Sequence, residues 1–262
     1  MNKFYLYIFI LLCFIFAISY YNAYCSSYYA NNYDNLTNSG DITNNTNITE
    51  NFSQKNGGNS DNSKNSISNS TIVLLGDSML KNNYYVSNDK NVEELLKQQT
   101  SANCLNYAQD GAIISDCYAQ LDEIPLTVDT SKTFICLSIG GNDILNYYAN
   151  KNVNNDEYIK SQISVIMDKY KKLVEAIKSR FSYATLILFD IYYPTSEEYK
   201  KYYSAIRIWN KMQYKYAKQN NIRMVEVSKL LNKKEDFNNK IEPSEEGGQK
   251  IVTAIVRNIS TK

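Results

Sequence analysis

The 262-residue chain contains no histidine. Imidazole is therefore excluded as general base, proton shuttle or metal ligand anywhere in the sequence. Proline and glycine are scarce, at 3 and 9 residues, which rules out collagen-like and proline-rich classes. Five cysteines are too few for a fold built on disulfides. Neither sign of charge dominates: 28 basic side chains face 27 acidic ones, so there is no electrostatic footprint for nucleic acid or an anionic membrane. What remains is 44% apolar residues, enough for one sizeable core or two small ones, and an excess of tyrosine, 24 residues.

The longest apolar run is N-terminal. After Lys3, Phe4 to Ile18 is uninterrupted and has the length of a secretory h-region, so residues 1–24 read as a signal peptide or a signal anchor. Ala17 and Ser19 are small, as a signal peptidase prefers, yet extension through Tyr21 reaches the minimum of ~18 residues for a membrane span. The expected location is secreted or membrane-tethered, with membrane contact only through this segment if it is uncleaved. Residues 25–70 shift to Asn, Ser, Thr and Gly, a composition that buries too little to order a backbone, and read as a disordered spacer. Sequons at Asn35, Asn44, Asn47, Asn51, Asn69 and Asn258 would accept glycans only in a glycosylating pathway; in so Asn-rich a chain they also arise by chance.

From Thr71 to Lys262 the pattern is globular, with short β-branched runs alternating with helical periodicity, as in a parallel sheet flanked by helices. The predicted strands are Thr71–Leu75, Asn103–Tyr107, Thr133–Ile139, Ala184–Ile191 and Ile222–Val227. Ile159, Ile163, Ile166, Tyr170, Leu173, Val174, Ile177 and Phe181 form one apolar stripe on a long helix. A second helix is expected over Glu198–Lys218, and a last one from Ser244, a suitable cap ahead of Glu245 and Glu246. Cys136 reads as a small hydrophobe within a strand. Cys104 and Cys117 bracket a strand-to-helix turn and are candidates for a disulfide after export.

Chemistry concentrates at strand ends. Gly76-Asp77-Ser78 closes the first apolar run at the carboxyl edge of the predicted sheet, where open sheets bind ligands. Taken alone, it also reads as an ordinary strand-to-loop turn. It is not alone: Asn106 to Ala112, with Gly111, follows the second strand, and Gly140-Gly141-Asn142-Asp143 follows the third. The Ser78 N–H, the Gly111 N–H and the Asn142 side-chain amide are then three donors able to meet an oxyanion beside the Ser78 hydroxyl, as acyl transfer requires. Asp77 and Asp143 fit as turn-holding carboxylates, and Asp190 as a rival base or orienter. Tyr84, Tyr85, Tyr147, Tyr148, Tyr192 and Tyr193 follow strand ends and are candidate pocket walls or surface residues. No phosphate loop, Cys-X-X-Cys pair or metal-spaced carboxylate cluster is present, so no cofactor is implied.

These blocks resemble the SGNH or GDSL hydrolases, esterases, lipases and carbohydrate deacetylases on a flavodoxin-like three-layer α/β/α sandwich. The resemblance covers Thr71 to about Ile259 and implies a five-stranded parallel sheet, Ser78 as nucleophile, and Ser78, Gly111 and Asn142 as the oxyanion hole. It implies a small-molecule, carbohydrate or lipid ester as substrate. The family's final block, Asp, two residues, His and Pro, is matched here by Asn239-Lys240-Ile241-Glu242-Pro243. Asn239 thus stands where the orienting Asp belongs, and Glu242 where the base belongs, although Glu242 taken alone also reads as a solvated loop carboxylate ahead of a helix. Sedolisin peptidases, on another fold, also pair serine with glutamate. A Ser–Glu dyad creates no cation, because glutamate becomes neutral on taking the proton, so an amide partner suffices. The sequence leads to an esterase acting through Ser78, with a catalytically silent domain binding an acylated or glycan ligand as the alternative. A glutamate base would be expected to keep working below pH 6.

Overall fold

The computed structural model describes residue 67, residues 69–148 and residues 155–260, all within one compact unit, Gly57–Lys262. The predicted leader, and the predicted spacer except for its last few residues, lie outside the described residues. Within the part that is described, Ile67 is buried in the core, and its carbonyl accepts the Ser70 N–H at 2.9 Å just before the first strand. No helix among the described residues is long and apolar enough to cross a membrane.

The chain runs β1 (Thr71–Gly76), α1 (Ser78–Lys81), α2 (Val92–Thr100), β2 (Asn103–Asn106), α3 (Cys117–Glu123), β3 (Thr133–Ser138), α4 (Gly141–Tyr148) and α5 (Asp156–Arg180). It continues with β4 (Thr185–Phe189), α6 (Tyr203–Gln219), β5 (Arg223–Val225), α7 (Val227–Leu230), the hairpin β6 (Phe237–Asn238) and β7 (Glu242–Pro243), and α8 (Glu245–Ser260). Strands β1 to β5 form one sheet in the order β2-β1-β3-β4-β5, parallel throughout. That is the flavodoxin-like order.

Side chains alternate across the strands and so divide the core in two. Val73, Leu75, Ile135, Leu137, Leu186 and Leu188 pack under α3 to α6, whereas Ile72, Leu74, Cys136, Ile187 and Phe189 pack under α2 and α8. The three-layer sandwich follows. The first three strands start where expected, and no strand edge differs from expectation by more than two residues. The stripe from Ile159 to Ile177 is buried on α5, which starts where Asn155 Oδ1 accepts the N–H groups of Glu157 and Tyr158 at 2.9 and 3.1 Å. Ser244 caps α8 by accepting the Gly247 N–H at 3.2 Å. The helix predicted from Glu198 begins instead as a 3-10 turn, Glu197–Tyr202, ahead of α6.

The two bracketing cysteines do not pair. Cys104 lies in the core layer under α2 and α8, Cys117 in the layer under α3 to α6, and the sheet separates them. Both are buried free thiols, and burial pushes both above the usual thiol range.

Candidate active site

Ser78 sits where β1 ends and α1 begins. Strand β2 stops pairing at Leu74, which would leave the Gly76 N–H without a partner on that side. The amide of the fully buried Gln120 fills the gap, with Oε1 accepting the Gly76 N–H at 2.8 Å and Nε2 donating to its carbonyl at 2.9 Å. Asp77 then caps α1, its Oδ1 accepting the Met79 N–H at 3.3 Å and the Ser138 hydroxyl at 3.0 Å. Ser78 is the first residue of the helix, so its N–H has no carbonyl partner within α1.

Across from it stands Glu242. The Ser78 hydroxyl donates to Glu242 Oε1 at 3.1 Å over 164 residues of sequence. Burial pushes the Glu242 carboxyl up to about 7, opposed by the Ser78 hydrogen bond and reinforced by the charge of Asp110. Glu242 Oε2 is buried without a hydrogen-bond partner among the described residues. Asp77 is raised to about 7 as well, mainly by burial and partly by the Glu242 charge. The expectation of a base still working below pH 6 is thereby corrected: Glu242 gains its proton near neutrality because its pocket is poorly solvated.

Asn239 does not orient Glu242. It is exposed and occupies the tip of the β6–β7 hairpin, where Asn239 and Lys240 have φ of 45° and 73° and the Ile241 N–H closes the turn on the Asn238 carbonyl at 3.2 Å. Two successive positive φ values define a type I′ turn, and asparagine tolerates that conformation. A backbone requirement thus accounts for the residue read as a relay partner.

The Asn142 amide donates to the Ala112 carbonyl at 2.9 Å. That bond aims the group and leaves its second N–H for a ligand. Gly111, with φ of 73°, is exposed and does not line the cleft; Ala112 is its link to Asn142. Asp143 accepts the Ile114 N–H at 3.0 Å, joining the loops after β2 and β3. The backbone reaches Asn142 through Gly140, whose φ is 113° and where an added Cβ would lie 2.5 Å from the Trp209 ring.

Ser78, Asn142 and Glu242 line one cleft of about 60 Å³, closed on its apolar side by Ile144, Leu145, Ile191 and Ile206. Of the six tyrosines singled out by sequence, Tyr192 lines it, joined by Tyr199 and Tyr202 from the 3-10 turn. Asp190 also lines it, yet both of its oxygens are engaged by Ser228, Oδ1 accepting the N–H at 3.0 Å and Oδ2 the hydroxyl. Burial lifts Asp190 to about 6, but its bonds tie it to α7 rather than to Ser78. No group of three or more Cys, Asp or Glu side chains among the described residues is placed to hold a metal ion.

Sequence reading missed the supports: Gln120, and Asp236, whose fully buried carboxylate pairs with Lys250 of α8 at 2.6 Å and accepts the N–H groups of Asn232 and Lys233 at 3.0 Å. No local pattern marks either one.

An alcohol at a strand end, hydrogen-bonded to a carboxylate beside a side-chain amide donor on a flavodoxin-like sheet, is an arrangement suited to acyl transfer. The chain belongs to the GDSL-like Lipase/Acylhydrolase family, whose sequence profile matches residues 48–255. It is accordingly an ester-hydrolysing enzyme. Its fold is similar to that of a G-D-S-L lipolytic protein from Veillonella parvula (18% identity, 71% of this chain and 96% of that chain, TM-score 0.56). Similar too are the lipase Lip_vut3 from a goat rumen metagenome (18%, 72% and 97%, 0.56) and phospholipase A1 from Streptomyces albidoflavus (15%, 74% and 100%, 0.53). No curated protein matches the chain by sequence.

Proposed function

We propose that this enzyme cleaves esters of short acyl groups through an acyl-enzyme on Ser78, with Glu242 as base. The 3.1 Å hydrogen bond from the Ser78 hydroxyl to Glu242 Oε1 carries this reading. As the hydroxyl oxygen attacks the ester carbonyl, its proton passes to Glu242. The negative charge that forms on the carbonyl oxygen meets the Ser78 N–H and the free N–H of Asn142. Collapse breaks the bond to the alcohol, which leaves with the proton returned by neutral Glu242. Water then enters, loses a proton to Glu242, attacks the acyl carbon and releases the acid, restoring the serine.

A base near 7 suits this cycle, because it is ionised often enough to accept and acidic enough to give back. A cleft of about 60 Å³ holds roughly four to six water-sized groups, which favours acetyl to butanoyl chains over long ones. The test uses the full chain with chromogenic acetate, butanoate and palmitate esters. Acetate and butanoate should be preferred, kcat/KM should rise with pH through about 7, and Ser78→Ala should lose about 10³-fold or more. Equal rates from Ser78→Ala would refute the mechanism and favour a domain that only binds an acylated ligand.

A further inference from the structure

Tyr85 lies outside the cleft, in the connection between α1 and α2, yet it is hydrogen-bonded to the loop after β2, to the hairpin that bears Glu242 and to the end of α1. Its hydroxyl donates to both carboxylate oxygens of Asp110, at 2.7 and 2.8 Å, and Asp110 immediately precedes Gly111. Its carbonyl accepts the side-chain amide of Asn238 at 2.6 Å, and Asn238 pairs directly with Glu242 in the β6–β7 hairpin. Its own N–H bonds to the carbonyl of Asn82, whose N–H closes α1 on the Ser78 carbonyl at 2.8 Å. No other tie among the described hydrogen bonds joins the Asp110–Gly111 loop to the connection that holds the hairpin.

We propose that Tyr85 is a positioning residue, clasping the Gly111 loop and the Glu242 hairpin together over Ser78 and fixing the Asp110 charge beside Glu242. The inference rests on the Ser78–Glu242 reading and adds what holds its parts in register. The single hydroxyl proton is shared between the two oxygens of an ionised acceptor, a charge-assisted bond stronger than a neutral one, and misplacement by an ångström costs up to ~10²-fold in rate.

The electrostatics give the clasp its own signature. The groups facing Glu242 are Asp77 from the β1–α1 turn, Asp110 from the loop after β2, Tyr85, Tyr192 after β4 and Tyr199 from the 3-10 turn. None of these is a cation; Lys240, on the hairpin itself, pairs with Glu198 at 3.1 Å. Removing the Asp110 charge therefore eases ionisation of Glu242 and moves the acid limb of kcat/KM to lower pH.

The experiment compares Tyr85→Phe and Asp110→Asn with wild type in the full chain on acetate esters. Tyr85→Phe should lower kcat about ten-fold or more with KM within about two-fold. Asp110→Asn keeps a neutral acceptor for the Tyr85 hydroxyl but loses the assistance of the charge, so its plateau kcat should fall less than that of Tyr85→Phe while its acid limb moves to lower pH. A purely structural role would leave that limb in place. Unchanged kcat in Tyr85→Phe, or an unmoved limb in Asp110→Asn, would overturn the proposal while Ser78→Ala and Glu242→Gln remain inactive. Full activity in Ser78→Ala would instead bring down the hydrolytic reading beneath it.

Discussion

Glu242→Gln should abolish hydrolysis and, at alkaline pH, make the protein more stable. In the unfolded chain a glutamate ionises near its ordinary 4.5, whereas burial in the folded cleft delays ionisation to about 7. Between those values the folded state holds a proton that the unfolded state has released. Stability from this group is therefore fully present below 4.5 and is lost as pH rises through 7. At 1.36 kcal/mol per pH unit the interval amounts to about 3 kcal/mol. Glutamine carries no charge and is spared that loss. Its amide nitrogen, however, replaces an oxygen that has no partner, which costs about 1 kcal/mol. The expected gain at pH 8 is about 2 kcal/mol, vanishing or reversing at pH 4.5. Urea unfolding followed by the fluorescence of the single, fully buried Trp209 measures it directly. A Glu242→Gln difference that is the same at pH 4.5 and pH 8 would refute the reasoning, because a neutral Glu242 and a charged one would then be equally at ease in the cleft.

Two other substitutions probe the scaffold. Gly140→Ala places a Cβ 2.5 Å from the ring of Trp209 at a φ of 113°, and the buried ring has no room to yield, so a loss of about 3 kcal/mol is expected in urea unfolding. Gln120→Leu strands the Gly76 N–H while the Gly76 carbonyl keeps the Gln109 N–H at 3.0 Å; the cost should be about 1–3 kcal/mol, with a lower kcat because Asp77 and Ser78 follow directly. Unchanged stability in either variant would show that the contact in question carries no weight.

The sheet was legible because β1, β3 and β4 are short, largely buried apolar runs, and α5 because its stripe from Ile159 to Ile177 runs along a 25-residue helix. The strand ends were legible because Gly76, Gly111 and Gly140 interrupt those runs beside polar residues. Less was visible where elements are short. Helix α1 has 4 residues and β6 and β7 have 2 each, too few for a period to register. Asn239 was misread because residue type at a given spacing does not reveal backbone dihedrals. The pKa of Glu242 depends on burial and on Ser78 and Asp110, far away in sequence, so spacing alone was silent about it. Cys104 and Cys117 look adjacent along the chain, yet an intervening strand layer that only topology reveals keeps them apart.

Glu242, the proposed proton acceptor, rides on a hairpin of two-residue strands outside the main sheet, tied to α8 through Asp236 and Lys250. Such an appendage is separable from the sheet: a mutation at its exposed side chains changes the surroundings of the acceptor while the five paired strands stay as they are. Lineages can then trial one basic group against another at little structural risk, and a glutamate in place of an imidazole is an outcome that this modularity permits.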